Sequence, residues 1–127
     1  MELISNRIIK QPNNANLYLE RGQLLFQLHD FEKAIRDFNS ALSIDDSLQQ
    51  AYFERGMALA RNGKIEEGIK DLSYFIKYNP KSSLAYTKRG VRYIWANKLQ
   101  LAKNDLMFAV KLNNKNSEAH DDLGVLY

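Results

Sequence analysis

The sequence predicts an all-α fold, an α-α superhelix (solenoid) of stacked helical hairpins, and three observations predict it. Gly22, Gly56, Gly90 and Gly124 recur at one constant interval. Four residues before each glycine stands an aromatic ring: Tyr18, Tyr52 and Tyr86, with His120 in the last place. Between these landmarks apolar residues follow the i, i+3, i+4, i+7 rhythm of amphipathic helices, at a period typical of repeat architectures.

Aligned on the glycines, the chain reads ANLYLERGQLLFQLHDFEKAIRDFNSALSIDDS, QQAYFERGMALARNGKIEEGIKDLSYFIKYNPK and SLAYTKRGVRYIWANKLQLAKNDLMFAVKLNNK, then starts again as SEAHDDLGVLY. Each unit splits into a first helix, A, and a second, B. In the first unit Tyr18, Arg21, Gly22, Leu25 and Leu28 share one face of A, and Phe31, Ala34, Ile35, Phe38, Ala41 and Leu42 share one face of B. Asn14, Ser82 and Asn116 are placed to cap A helices, and Asp30 to cap the first B helix. Pro12 and Pro80 fall in the turns between units. A helices are expected near 15–28, 49–62, 83–96 and 117–127, and B helices near 31–44, 65–78 and 99–112. One domain then spans 1–127: the end of a preceding B helix at 1–14, full units at 15–48, 49–82 and 83–116, and an A helix alone at 117–127.

A glycine inside a helix costs about 1 kcal/mol relative to alanine. Four repetitions of that cost predict that A and B approach too closely there for a side chain. Arg21, Arg55 and Arg89 each precede a glycine, and Asp37, Asp71 and Asp105 each follow at a fixed distance along the chain, in helix B. The spacing predicts an Arg–Asp bridge inside every full hairpin, where a guanidinium fork grips a carboxylate bidentately and fixes register. The competing reading is independent surface charge, which contributes little.

These columns resemble the tetratricopeptide repeat, whose unit of about 34 residues is a pair of antiparallel helices. The glycine interval equals that unit, and the resemblance covers about the whole chain. Its small residue early in helix B appears as Ala34, Gly68 and Ala102, followed by Phe38, Leu72 and Leu106. Its later alanine appears as Ala41 and Ala109, with Phe75 departing in the second unit. Pro12 and Pro80 hold its proline column, with Asp46 and Asn114 elsewhere. The resemblance implies a concave groove lined by A helices, to which the family's columns assign Asn16, Leu19, Gln23, Phe26 and Gln27, then Gln50, Phe53, Met57, Ala60 and Arg61, then Leu84, Thr87, Val91, Ile94 and Trp95. Lys88 borders the same face. So apolar a face implies a peptide or helix of a partner protein as ligand. Phe26, Ile94 and Trp95 also read as packing residues at helix ends. Leu19, Phe53 and Met57 are expected to be open, because core residues occupy the opposite stripe. One subfamily clamps the terminal carboxylate of chaperone tails with lysine, asparagine and arginine. The matching positions are Leu19, Gln23, Glu54, Leu84 and Lys88; only Lys88 carries a suitable charge, and Glu54 repels a carboxylate.

The net charge of +3 is uneven. Residues 1–60 hold 6 Lys/Arg against 8 Asp/Glu, residues 61–115 hold 12 against 4, and residues 116–127 hold three acids and no Lys or Arg. The basic middle offers an alternative reading, binding of an acidic peptide or of nucleic acid. Arg61 and Lys88 are placed beside the groove, and Lys64, Lys81, Arg92 and Lys98 on turns or outer faces. Trp95, Tyr93 and Phe53 are the rings available to stack bases, but no nucleic-acid motif accompanies them.

Catalysis, cofactors and metals are not expected. The two histidines, His29 in a turn and His120 in a core column, lack the companions of a metal site or nucleophile system. Zero cysteines remove disulfides and thiolate ligands, and no apolar run approaches the length of a membrane span. A soluble, cytoplasmic protein is the resulting expectation. Ile4 and Ile8 at the start, and Gly124, Val125, Leu126 and Tyr127 at the close, are expected to stand uncovered. That implies either a piece of a longer array or head-to-tail self-association.

Overall fold

The computed structural model describes residues 1–126; Tyr127, and with it the last residue of the expected final helix, lies outside the described residues. Eight helices follow in order: α1 (Glu2–Lys10), α2 (Ala15–Gln27), α3 (Phe31–Ile44), α4 (Gln49–Arg61), α5 (Ile65–Tyr78), α6 (Ser83–Trp95), α7 (Leu99–Leu112) and α8 (Ser117–Leu126). Every full-length helix begins and ends within one residue of the position read from periodicity. Helices α2, α4, α6 and α8 are the A helices. Each of α2, α4 and α6 packs first on the B helix that follows it, then on the B helix before it, and lightly on the next A helix. The result is an all-α stack of sequential hairpins, with no strand among the described residues.

Local chemistry sets the helix ends. The Asn14, Ser82, Asn116 and Asp30 side chains accept from the backbone N–H groups of Asn16, Ala85, Ala119 and Lys33, so all four expected caps form. The A-to-B turns follow one pattern that periodicity did not reveal. After α2, Asp30 N donates to Leu25 O and His29 N to Phe26 O, both at 2.9 Å. The same pair of bonds follows α4 at Lys64 and Gly63, and α6 at Lys98 and Asn97. This termination needs a left-handed residue. His29, Gly63 and Asn97, again at the repeat interval, supply it with φ of 62°, 90° and 59°.

Packing repeats in the same register. Ala34, Phe38 and Ala41 on α3, Leu72 on α5, and Ala102, Leu106 and Ala109 on α7 are fully buried. A Cβ built on Gly22 would fall 2.5 Å from the Phe38 ring, on Gly56 2.8 Å from Gly68 O, and on Gly90 2.9 Å from Leu106. The close approach therefore holds at three glycines. It fails at Gly124, where an added Cβ meets nothing within 4 Å, because no described helix packs on that side of α8. Phe75, the departure from the small-residue column, sets its ring against Phe53 at a centroid distance of 5.1 Å. Gly68 meanwhile faces Gly56 across the α4–α5 contact, where an added Cβ would fall 2.5 Å from Gly56 O.

The Arg–Asp bridge forms in all three hairpins, and it is bidentate. Arg21 donates to both oxygens of Asp37 at 2.7 and 2.8 Å, Arg55 to Asp71 at 2.7 and 2.9 Å, and Arg89 to Asp105 at 2.7 Å twice. The three aspartates are buried. A third donor on each arginine reaches back into the preceding B helix, to Ser5, Asn39 and Ser73. Each arginine thus joins its own hairpin to the one before it. These carboxylates also hold the Arg21 and Arg55 guanidiniums above the usual arginine range, through the hydrogen bonds first and their charge second. Ile4 and Ile8, expected to stand open, are instead buried with Leu17. Helix α1 occupies the place of a preceding B helix, and its apolar stripe faces α2.

Urea unfolding separates buried ties from exposed ones. Arg55→Ala leaves Asp71 buried without its fork and is expected to cost about 2–4 kcal/mol. Lys98→Ala, which removes only the exposed bridge to Glu66, is expected to cost under about 0.5 kcal/mol. Gly56→Ala is expected to destabilise despite its gain in helix propensity, because its Cβ meets backbone. Gly124→Ala is expected to stabilise by up to about 1 kcal/mol.

Candidate functional site

The groove residues named from sequence all lie on the A helices α2, α4 and α6, each of which packs on B helices and lightly on the next A helix. Burial divides them. Leu19 and Phe53 are closed, at 9% and 8% exposure, and Ala60 and Thr87 are buried as well. This corrects the expectation that Leu19 and Phe53 are open. Leu19, Phe53 and Thr87 form a column at the repeat interval that falls on the seam between successive A helices. Leu19 shares its core cluster with Ala51 of the next A helix, and Phe53 shares its own with Ala85. The small alanine lets the next helix settle over the larger side chain.

At Thr87 a polar seam replaces the apolar one. Its hydroxyl donates to Ser83 O at 2.9 Å and accepts from Asn116 Nδ2 at 2.9 Å, while the same amide reaches Ser83 Oγ at 2.8 Å. Asn116 also caps α8, so one side chain both starts that helix and ties it to α6.

The remaining groove residues stay at least partly open. Gln23, Phe26, Met57, Lys88 and Val91 are half-buried, and Arg61 is exposed. Leu84 is 53% and Trp95 43% exposed, large values for apolar side chains of this size. Phe26 serves packing too, with its ring edge-on to Phe31 at 5.2 Å. Ile94 is half-buried and packs against the cluster of Leu106 and Ala109.

Polar groups in the groove are mostly matched to one another. Glu54 accepts from Gln50 at 2.9 Å and weakly from Gln23 at 3.4 Å, while Lys88 Nζ binds Glu118 at 3.0 and 3.2 Å. Sequence reasoning missed this second pair because its members stand far apart in the chain and do not recur. Lys64, Lys81 and Lys98 are exposed, as expected. Arg92 is not: at 4% exposure it is a buried cation, and this corrects its assignment to an outer face. Its guanidinium lies 4.5 Å from the Trp95 ring. The rings suggested for base stacking do not assemble, since Phe53 is closed and Tyr93 lies beneath the Arg89 guanidinium at 5.6 Å.

Among known proteins, the tetratricopeptide repeat family matches residues 15–48, the whole of the first hairpin. The structure then repeats that hairpin at the same period through α7. Residues 15–48 thus match one tetratricopeptide repeat, and the chain as a whole has the fold of a tetratricopeptide array. Solved structures with the same fold include the first TPR of Spaghetti (RPAP3) bound to the HSP90 peptide SRMEEVD. It is 24% identical with a TM-score of 0.84, and the match covers 89% of this chain and 90% of that one. The second TPR domain of human RPAP3, in complex with the HSP70 peptide SGPTIEEVD, is 25% identical with a TM-score of 0.79, covering 88% and 97%. YrrB, a TPR protein with an unusual peptide-binding site, is 22% identical with a TM-score of 0.81, covering 86% of this chain and 56% of YrrB. No curated protein sequence matches. Among the described residues no helix is long and apolar enough to cross a membrane, and no group of three His, Asp or Glu is placed to hold a metal.

Asp122 on α8 borders this face and has a buried Oδ2 without a hydrogen-bond partner. Burial, then the charges of Glu118 and Asp121, push its carboxyl above the usual aspartate range. A raised folded-state value means that the fold prefers the protonated acid. Its contribution to stability is therefore present at low pH and lost as pH rises through that value. Asp122→Asn is expected to raise the thermal midpoint at neutral pH, with the gain vanishing near about pH 3, where aspartates are protonated in both states.

Proposed function

We propose that this protein is a non-catalytic scaffold that binds a peptide or helix of a partner protein across the open faces of α2, α4 and α6. One observation carries the reading: Leu84 and Trp95 expose large apolar surfaces at the two ends of α6, on the face that also holds half-open Phe26, Met57 and Val91. A row of apolar side chains on neighbouring parallel helices suits a ligand lying across them, which would remove that surface from water. The peptide complexes of the structurally similar domains support it, since the same fold carries a peptide there.

The recognition mode differs from a terminal carboxylate clamp. Of the matching positions, Leu19 is buried, Leu84 is apolar, Glu54 is already satisfied by two glutamine amides, and Lys88 is held by Glu118. The ligand is therefore an internal segment, read mainly through apolar side chains.

Intrinsic fluorescence of Trp95, the one tryptophan, reports on this face. Titration with pooled, terminally blocked peptides rich in leucine and phenylalanine is expected to change it saturably. Leu84→Glu with Met57→Glu is expected to weaken binding about tenfold or more, and Leu84→Glu alone to weaken it with little change in thermal midpoint, since Met57 also packs against the cluster of Phe53 and Leu72 whereas Leu84 is exposed. Undiminished binding by the double variant would place the ligand elsewhere.

A further inference from the structure

At the C-terminal ends of α4 and α6, two guanidiniums sit without a carboxylate in bonding range. Arg61 lies over Phe26 at 5.8 Å and over Phe31 at 5.0 Å, exposed to solvent, and its N–H donors have no hydrogen-bond or ion-pair partner among the described residues. Arg92 is buried against Trp95. Its Nη1 makes one long bond of 3.4 Å to Lys88 O, and its Nε has no partner. Arg21, Arg55 and Arg89, by contrast, each grip a carboxylate with two bonds.

The acids of α8 that face this pair form no ion pair with it. Glu118 is bonded to Lys88, and Asp122 is outside ion-pair distance, so both favour the Arg92 cation only through their charge at a distance. Burial, then the charge of Arg61, press the Arg92 pKa down to about 10, so the two cations feel each other and Arg92 still stays charged at neutral pH. A buried charge behind an exposed one, in a poorly screened setting, projects a positive field at the surface. Aromatic faces flank that field on both sides.

We infer that Arg61, backed by the buried charge of Arg92, receives an aspartate or glutamate side chain of the bound peptide, whose apolar neighbours rest on Phe26 and Trp95. The inference rests on the groove reading above and adds the chemistry of one ligand position. The two rings hold the Arg61 guanidinium without engaging its N–H donors in a hydrogen bond, which leaves those donors free for a carboxylate. A run of phosphates fits less well, because the charge is concentrated at one place and the stacking rings are closed.

An immobilised peptide library with blocked termini tests it, with one position fixed as Glu, Gln, Lys or Leu and the others degenerate. The wild-type chain is expected to select Glu over Gln at the fixed position. Arg61→Gln is expected to lose about tenfold of that preference while keeping selection for leucine and phenylalanine. Arg92→Gln is expected to lose much of it as well, and Arg92→Lys, which keeps the charge, to restore it; a structural role alone would not sort these two by charge. Thermal midpoints read alongside show that each variant is folded. Selection of apolar residues with no preference for Glu overturns this inference and leaves the groove reading standing. Absence of any selection overturns both. Tighter binding of a labelled oligothymidylate than of any peptide pool, reduced by Arg61→Gln, overturns the inference in favour of phosphate.

Discussion

The arginine that precedes each repeat glycine is the tie on which the rest of the structure depends. With two N–H groups it grips an aspartate on its own B helix, and with a third it reaches a serine or asparagine on the B helix before. Intra-hairpin packing alone leaves the tilt between successive hairpins free to vary, since apolar contacts are not directional. A guanidinium fork is directional and planar, so it fixes both spacing and rotation. Its neighbour, the glycine, allows the A helix to approach near enough for that fork to reach. The tyrosine one turn earlier lies beside each guanidinium, at 5.9, 5.4 and 5.5 Å in the three hairpins. The column of aromatic residue, arginine and glycine thus works as one unit, repeated in every full hairpin.

Features recorded by a column of like residues were the most legible in the sequence, and features that occur once were not. The helices, the A-helix caps Asn14, Ser82 and Asn116, and the three bridges sit in columns, and a column of like residues records a like environment. The backward reach of each arginine was written there as well, in Ser5, Asn39 and Ser73, but three small polar residues on a helix look like solvated positions until a partner is known. The left-handed turn residues carried a fainter signal, because His29, Gly63 and Asn97 share a backbone conformation and little chemistry. Phe75 shows the limit of reading columns one at a time: its bulk is accommodated through Phe53, a position in another column.

The groove was legible in outline and wrong in depth. Leu19 and Phe53 lie on a helix face distinct from the hairpin core, which made them look open. A solenoid, however, buries a second seam between neighbouring A helices, and the residues opposing that seam are alanines, too small to announce a contact. What remains exposed is displaced toward the two ends of α6, at Leu84 and Trp95. The electrostatic pattern was hidden for a related reason. Charge counts located the basic middle, but they give Arg92 and Lys98 the same weight, although one is buried beneath a tryptophan and the other is held by Glu66 at the surface. Where a charge sits decides its field, and burial follows from packing.

The most direct test of this account exchanges all three arginines for lysine, Arg21→Lys/Arg55→Lys/Arg89→Lys, and follows amide hydrogen exchange helix by helix. Lysine keeps the positive charge but cannot offer a planar fork to one helix and a third donor to another. If the ties set the stacking of hairpins, protection falls together in α2, α4 and α6 while net charge is unchanged. Protection equal to that of the wild-type chain in those helices would contradict the account, leaving apolar packing as sufficient to hold the array.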